Sequence, residues 1–196
     1  MSNIQVDLID EDDLTAKRLS TLKALIITEP DVPIEGQAAV VQWVKAGGSL
    51  LTVTGAVSGD RYNQPTTVLS SATGIMEAPR PRKMIQWTSK LLAADTGSGE
   101  LGTFTAYGVR GNITAFPSTG FKQLAAFSDG SPAIVQNTAV GRGMATHFAF
   151  LPGIRFRNQN PYRPDPHYVS HIRPWRGMLL SRLEVAADNA VLVSYA

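Results

Sequence analysis

A strand, a helix that ends in Gly-Gly and a second strand follow one another early in the chain. Leu22–Thr28 and Ser49–Thr54 are apolar runs rich in branched residues, which is typical of strands buried on both faces. Between them, Ile34–Ala46 spaces its apolar residues at helical intervals, and Gly47-Gly48 supplies a left-handed helix end. This unit predicts two parallel strands joined by a helical crossover, and it constrains the chain to the α/β class.

The second half of the chain has β patterns separated by short turns. The predicted strands are Thr103–Val109, Phe121–Phe127, Pro132–Gln136 and Met144–Leu151. Val140–Gly143 carries two glycines and predicts the turn of an antiparallel hairpin. Together with the parallel unit, this predicts a three-layer, flavodoxin-like α/β fold with a mostly parallel sheet and a late antiparallel hairpin.

Less regular segments complete the chain. Two further helices and a final strand are predicted over Thr66–Thr73, Pro174–Ala187 and Ala190–Tyr195. We expect one α/β domain over residues 1–153. Residues 154–196 are then expected to form an Arg-rich loop, a helix and a strand that pack on the same domain.

Among the 196 residues there is no cysteine. A disulfide scaffold, a zinc–thiolate site, an iron–sulfur cluster and a cysteine nucleophile are therefore excluded. Hydrophobic residues make up 43% and charged residues 17%, which excludes a disordered chain. No apolar run is long enough to span a membrane and no signal peptide is visible, so a cytoplasmic protein is predicted.

The net charge of +2 conceals an acidic start and an arginine-rich end. Acidic residues prevail over Asp7–Asp31, whereas Arg142–Arg182 holds seven arginines and a single acid. A basic end can attract anionic ligands or nucleic acid, and the alternative is local pairing of the arginines. Because no nucleic-acid motif is present, we expect no nucleic-acid partner.

Several phrases of the sequence resemble one known fold family. Leu22–Pro30, a helix ending in Trp43-Val-Lys-Ala-Gly-Gly48, and Leu50–Gly55 together resemble the class I glutamine amidotransferase-like fold. The similarity is greatest to its non-amidotransferase branches, such as the trimerisation domain of some β-galactosidases and the trehalose-utilisation-type domains. Asp129–Val135 and Phe148–Gly153 resemble the late hairpin of that fold, so the resemblance covers about residues 5–153.

The chain departs from that family at the nucleophile. Active amidotransferases carry a cysteine in the turn that corresponds here to Gly55–Gly59, and this chain has none, so no amidotransferase activity is expected. Ser58 lies in this turn, one position away from the G-x-S-x-G pattern of a serine nucleophile. His147 is its candidate base. The alternative interpretation is a loop serine and a half-buried strand histidine.

A second departure concerns the beginning of the fold. The acidic segment Val6–Leu14 resembles the second unit of the family, so the first βα unit is expected to be missing. An incomplete parallel sheet exposes an edge, and an exposed edge pairs with other chains. We therefore expect a homo-oligomer, or association with other domains of a longer polypeptide.

Polar residues after the second parallel strand form the candidate ligand site. Open α/β sheets bind ligands at the carboxyl ends of their strands, which is where the loop after Thr54 lies. The candidate ligand-binding residues are Asp60, Arg61, Tyr62, Arg155, Tyr168 and His171. Asp60 and Arg61 have the alternative role of bracing their loop. No cofactor and no metal site are expected, since prolines interrupt the spacing of His167 and His171.

The sequence thus predicts a non-catalytic amidotransferase-like domain that serves assembly and binds a small polar ligand or carbohydrate. The alternative is a hydrolase acting on a carbohydrate or an ester, with its site at loop 55–62. For glycoside hydrolysis Asp60, Glu77 and Asp129 are the candidate acids, without spacing that selects a pair. A hydrolase requires a histidine within hydrogen-bond reach of Ser58 or Asp60.

Overall fold

A computed structural model describes residues 6–79, 94–100, 102–107, 110–152 and 190–193. The strands are β1 Val6–Ile9, β2 Ala24–Ile27, β3 Ser49–Val53, β4 Met76–Glu77, β5 Ala94–Gly99, β6 Gly102–Tyr107, β7 Ile113–Ala115, β8 Phe121–Phe127, β9 Pro132–Val140, β10 Gly143–Phe148 and β11 Ala190–Val193. The α-helices are α1 Ala16–Leu19, α2 Ile34–Lys45 and α3 Val68–Thr73, and a 3-10 helix covers Glu11–Asp13.

Nine of these strands form one mixed sheet in the order β1-β11-β2-β3-β10-β9-β8-β5-β6, and β4 pairs with β7 in a separate ribbon. Neighbours from β1 to β10 are parallel, whereas neighbours from β10 to β6 are antiparallel. The expectation of a mostly parallel sheet is therefore wrong, and the fold is a mixed α/β fold. Short turns join β5 to β6, β8 to β9 and β9 to β10, and such turns can only connect antiparallel neighbours.

The early strand–helix–strand unit is confirmed. β2 and β3 are parallel with Ala24 aligned to Ser49, and α2 connects them. The helix ends at Lys45, and Gly47, just beyond it, has a φ of +125° that is accessible to glycine. A Cβ on Gly48 would collide with the ring of Trp43, whose Nε1 donates to the Leu22 carbonyl at 3.2 Å. The Trp–Gly-Gly phrase thus ties the end of α2 to the start of β2.

The late hairpin is also confirmed. β9 and β10 pair antiparallel across a turn in which Gly141 has a φ of +63°. β10 then lies parallel to β3, with His147 aligned to Thr52. Backbone of the helix end approaches both Gly141 and Gly143 so closely that neither position has room for a Cβ. These contacts lock the hairpin onto the carboxyl end of α2.

Apolar side chains from both halves of the sheet make one core. Phenylalanines from β6, from β8 and from the segment just after β10 meet in it, with Phe104 stacked on Phe150 at 5.3 Å and Phe127 edge-on to Phe150 at 6.1 Å. Burying each such ring contributes about 1.5–3 kcal/mol. This shared core holds the parallel and antiparallel halves together, and so fixes the edge at which β3 and β10 end.

Other predicted elements differ in outcome. The helix predicted over Thr66–Thr73 forms as α3, and Gly74 closes it with a φ of +72°. Gly97–Gly102, which matches a phosphate-loop pattern by letter, is part of the β5–β6 hairpin. Of the predicted strand Ala190–Tyr195, the structure describes β11. The predicted loop 155–168 and helix Pro174–Ala187 lie outside the described residues.

Candidate functional site

The candidate site lies where β3 and β10 end side by side. Both strands are parallel, so their carboxyl ends reach the same edge of the sheet. The β4–β7 ribbon adds a carboxylate, Glu77, from a different part of the chain. Four side chains meet at this edge: Thr52, Thr54, Glu77 and His147.

His147 links the two strands at this edge. Its ring is buried, with 7% of the residue exposed, and its Nδ1 lies 2.9 Å from the hydroxyl of Thr52. The contact follows from register, because His147 and Thr52 are aligned neighbours on β10 and β3. The other ring nitrogen, Nε2, lies 3.8 Å from a carboxylate oxygen of Glu77. His147 is therefore held between a hydroxyl and a carboxylate.

Glu77 reaches the turn that follows β3. One of its oxygens accepts a hydrogen bond from the Thr54 hydroxyl, and the other accepts from the backbone N–H of Gly55 at 2.9 Å. Only 15% of its side chain is exposed. The backbone N–H of Gly55, in the turn after β3, therefore has a carboxylate acceptor from within the chain.

Gly111 makes room for that carboxylate. A Cβ at this position would overlap Glu77 Oε1 and would lie 2.6 Å from the Thr54 hydroxyl oxygen. The backbone N–H of Gly111 donates to the Ala149 carbonyl at 2.6 Å, which holds the loop against the end of β10. Glycine is needed here for close approach, since any side chain would displace Glu77.

Arg110 anchors the same loop from the other side. Its guanidinium pairs with Asp129 at 2.6 Å and lies 4.1 Å from the centroid of the Phe127 ring. Hydrogen bonds from the Ser131 hydroxyl and backbone, followed by the Arg110 contact, hold the pKa of Asp129 well below its usual range. Asp129 is consequently ionised at neutral pH and unsuited to the general-acid role considered from the sequence.

The charged residues of the loop after this turn contact other groups of the same chain. Asp60 accepts from the backbone N–H groups of Tyr62 and Gln64, both at 2.9 Å, and Arg61 pairs with Asp12 at 2.5 Å. Tyr62 is 77% exposed. These contacts match the bracing role for Asp60 and Arg61, and they leave the Tyr62 phenol at the surface. Their role in ligand binding stays a prediction.

Ser58 lies in a turn in which the preceding residue, Val57, has the positive φ. Val57 has a φ of +54°, is buried, and donates its N–H to the Glu29 carbonyl at 2.8 Å. The carbonyl of Ser58 accepts from Thr66, and the next α-helix begins only at Val68. A nucleophile elbow needs a strand, a sharp turn and then a helix, with the strained conformation on the nucleophile itself. The described turn differs in both respects.

Of the predicted site residues, the structure brings His147 to the edge beside Glu77. Arg155, Tyr168 and His171 lie outside the described residues. In the described part of the chain, no group of three or more histidine, aspartate or glutamate side chains could hold a metal ion. The described helices include none that is both apolar and long enough to cross a membrane.

Sequence reasoning missed the roles of Thr52, Gly111 and Glu77 in this cluster. The available signal was the pair of threonines at alternate positions, Thr52 and Thr54, at the end of an otherwise apolar strand. Alternate positions point to the same face, so a polar pair at a strand end marks a polar edge. Glu77 was named from the sequence only as a candidate acid for glycoside hydrolysis, and its place beside His147 was not predicted because a two-residue strand has no periodicity.

No protein-family model matches the chain, and no curated protein sequence matches it. Solved structures are similar at the level of the fold. A catalytic mutant of Gan42B, a GH42 β-galactosidase from G. stearothermophilus, has a TM-score of 0.63 at 16% identity, over 93% of this chain and 24% of that chain. A β-galactosidase from Bacillus circulans sp. alkalophilus has a TM-score of 0.58 at 15% identity, over 85% and 23% of the two chains.

A cytoplasmic protein of Salmonella typhimurium LT2, STM1381, is similar over most of both chains. Its TM-score is 0.59 at 16% identity, over 92% of this chain and 82% of that chain. In contrast, the chain spans about a quarter of the length of the β-galactosidases that it matches. The chain therefore has an α/β fold that it shares with part of these β-galactosidases and with most of a small cytoplasmic protein.

Proposed function

We propose that this chain is a non-catalytic, amidotransferase-like domain that assembles with other chains or domains and binds a small polar ligand or carbohydrate. The observation that carries the proposal is the contact between the Glu77 carboxylate and the Gly55 N–H. On this proposal, residues 1–153 form most of the domain and residues 154–196 pack on it, with Ala190–Val193 as a strand of the same sheet.

The contact supports a non-catalytic role for two reasons. Acyl transfer needs a nucleophile and a backbone N–H that is available to the developing oxyanion. The family nucleophile is absent because the chain has no cysteine. The Gly55 N–H at the corresponding turn already has an anionic acceptor, and a substrate oxygen would have to displace it.

The same edge carries polar groups that support the binding of a polar ligand. Three such groups lie side by side there: the imidazole of His147 is flanked by the hydroxyl of Thr52 and the carboxylate of Glu77. Hydroxyl and charged groups of this kind are the polar groups that fix the orientation of a bound ligand. The similarity to parts of β-galactosidases makes carbohydrate the first ligand class to test.

Assembly is supported by the similarity in fold and by the resemblance in sequence. The chain resembles the trimerisation domain of some β-galactosidases, and its fold matches about a quarter of the length of two β-galactosidases. A domain of this kind contributes contacts rather than chemistry. Its surfaces then join copies of itself or other domains of a larger protein.

The hydrolase alternative receives less support from the site. His147 contacts Thr52 and Glu77, and Asp60 accepts hydrogen bonds from its own loop. The turn that carries Ser58 lacks the helix that a nucleophile elbow needs.

Hydrolysis assays on the full chain separate the two functions. We expect nitrophenyl galactosides and nitrophenyl esters to be hydrolysed no faster than in buffer, while thermal shifts with mono- and disaccharides report binding. Turnover that is lost in Ser58→Ala but kept in Ser118→Ala, a change in an exposed loop, would establish a hydrolase instead. Glu77→Gln should weaken any sugar-induced thermal shift, whereas Ser118→Ala should not.

A further inference from the structure

The first two strands of the chain are separated by one strand position in the sheet. β1 and β2 are parallel and follow each other in sequence, yet β11 lies between them. Its pairing is in register on both sides, with Val191 aligned to Asp7 on β1 and to Leu25 on β2. The last of the described strands thus occupies an interior place in the parallel half.

We propose that the space between β1 and β2 is a strand-acceptor site, and that a segment of the same chain, Ala190–Val193, is its occupant. Five parallel strands lie in the order β1-β11-β2-β3-β10. This is the flavodoxin-like order 2-1-3-4-5 when β11 takes the place of the first strand. Within the described sheet, the segment therefore lies at the position of the first strand of such a sheet.

The acceptor site needs an occupant because, without one, the facing edges of β1 and β2 would be unpaired backbone. Without β11, one edge of β1 and one edge of β2 would each present free N–H and C=O groups. β2 is interior, with Leu25 and Ile27 almost fully buried, so its open edge would adjoin the core. An extended segment running parallel satisfies both edges at once, and Ala190–Val193 is apolar throughout.

The covalent connection favours the chain's own segment over that of a second copy. Because the segment belongs to the same chain, its binding is intramolecular, with an effective concentration that does not depend on the protein concentration. At micromolar protein, the tethered segment therefore outcompetes the same segment of another molecule. The sequence predicted an exposed sheet edge that pairs with other chains. On this proposal, strand edges of the parallel half are instead paired by a segment of the same chain. The inference does not depend on the proposed function.

A double-cysteine variant of the full chain tests the occupant, because the chain has no other cysteine. In Asp7→Cys/Val191→Cys the two positions are aligned neighbours, at the spacing of about 4.8 Å between paired strands. That spacing is within the range of a disulfide. In the control Asp7→Cys/Val193→Cys the partners are two residues out of register, about 8 Å apart, which is beyond that range.

We expect mild oxidation at micromolar protein to give an intrachain disulfide in the aligned pair, at least about tenfold faster than in the control. An interchain disulfide would overturn the proposal by showing that a second copy fills the site. Free thiols that oxidise no faster than in the control would overturn the acceptor site itself.

Hydrogen exchange gives a second measurement that needs no disulfide. In the described sheet β1 has β11 as its only neighbour, so protection of Val6–Ile9 depends on that strand. Leu192→Pro removes a backbone donor and disfavours β11 within the sheet. Exchange of β1 amides should then accelerate at least about tenfold while β9 and β10 stay protected. Unchanged β1 protection in this variant would contradict the proposal.

Discussion

The carboxylate of Glu77 accepts a hydrogen bond of 2.9 Å from the backbone N–H of Gly55. Glu77 comes from the β4–β7 ribbon, whereas Gly55 lies in the turn after β3. The contact therefore joins two segments 22 residues apart in sequence, at the edge where an α/β sheet places its ligands. It also supplies an anion from within to the backbone amide of that turn.

Removal of the carboxylate should destabilise the fold. Glu77→Ala leaves the Gly55 N–H and the Thr54 hydroxyl without their acceptor, and we expect a loss of about 1–3 kcal/mol in the free energy of unfolding. Glu77→Gln keeps one oxygen acceptor and should lose less. Urea unfolding of the three proteins measures the difference.

Glu100→Ala is the matched control for this series. Glu100 pairs with exposed Lys122 at the surface, so its removal should change the unfolding free energy by less than about 1 kcal/mol. Equal losses for Glu77→Ala and Glu100→Ala would show that the Glu77 contacts contribute no more than a surface ion pair.

Gly111→Ala should be destabilising because of Glu77. Its Cβ would overlap the Glu77 carboxylate, so the variant must displace that side chain or the loop. In a double-mutant cycle, we expect Gly111→Ala to lose at least about 1 kcal/mol less when Glu77 is already alanine. Additive losses in this cycle would mean that Gly111 is required for another reason.

Adjacent glycines at the end of α2 should respond differently to alanine. Gly48→Ala places a Cβ against the Trp43 ring, an overpacking that costs about 1–3 kcal/mol. Gly47→Ala meets no atom but must adopt a positive φ, which costs about 1 kcal/mol. Thermal unfolding should show the larger decrease in Tm for Gly48→Ala, and the reverse order would refute the role given to Trp43.

The stability that Asp129 contributes should depend on pH. Hydrogen bonds from Ser131 and the contact with Arg110 lower the pKa of this carboxyl in the folded state. Its contribution is therefore full above the unfolded pKa of about 3.9 and is lost as the pH falls toward the lower folded value. The stability difference between the wild type and Asp129→Asn should shrink between about pH 5 and pH 2.

Ser131→Ala tests the assigned cause. Loss of the Ser131 hydroxyl removes the largest contribution to the lowered pKa of Asp129. The free energy of unfolding of Ser131→Ala should therefore fall less between neutral and acidic pH than that of the wild type. Urea unfolding at neutral and acidic pH measures both proteins. If the difference in unfolding free energy between the wild type and Asp129→Asn stays constant from about pH 5 to pH 2, the pKa of Asp129 is not lowered in the folded state.

Local sequence pattern was sufficient for the elements with strong periodicity. The helix expected over Ile34–Ala46 forms as Ile34–Lys45, and the strand expected over Ser49–Thr54 forms as Ser49–Val53. The pattern works here because burial of one helix face and of both strand faces leaves its period in the sequence.

Long-range pairing could not be predicted in the same way. The place of β11 between β1 and β2 depends on contacts between the two ends of the described chain. β5 was missed because Gly97 and Gly99 interrupt its pattern, and these glycines are needed where the backbone of β8 comes close. For the site, both His147 and Glu77 were named from the sequence, but their proximity depends on the β4–β7 pairing, which no local pattern predicts.

Sedimentation velocity of the full chain over a wide concentration range tests the proposed assembly function most directly. The chain has a mass of 21.1 kDa. We predict a species whose mass is a multiple of that value and whose population grows with concentration. A single 21.1 kDa species at every concentration, including the highest attainable, would contradict self-assembly as the function of this domain.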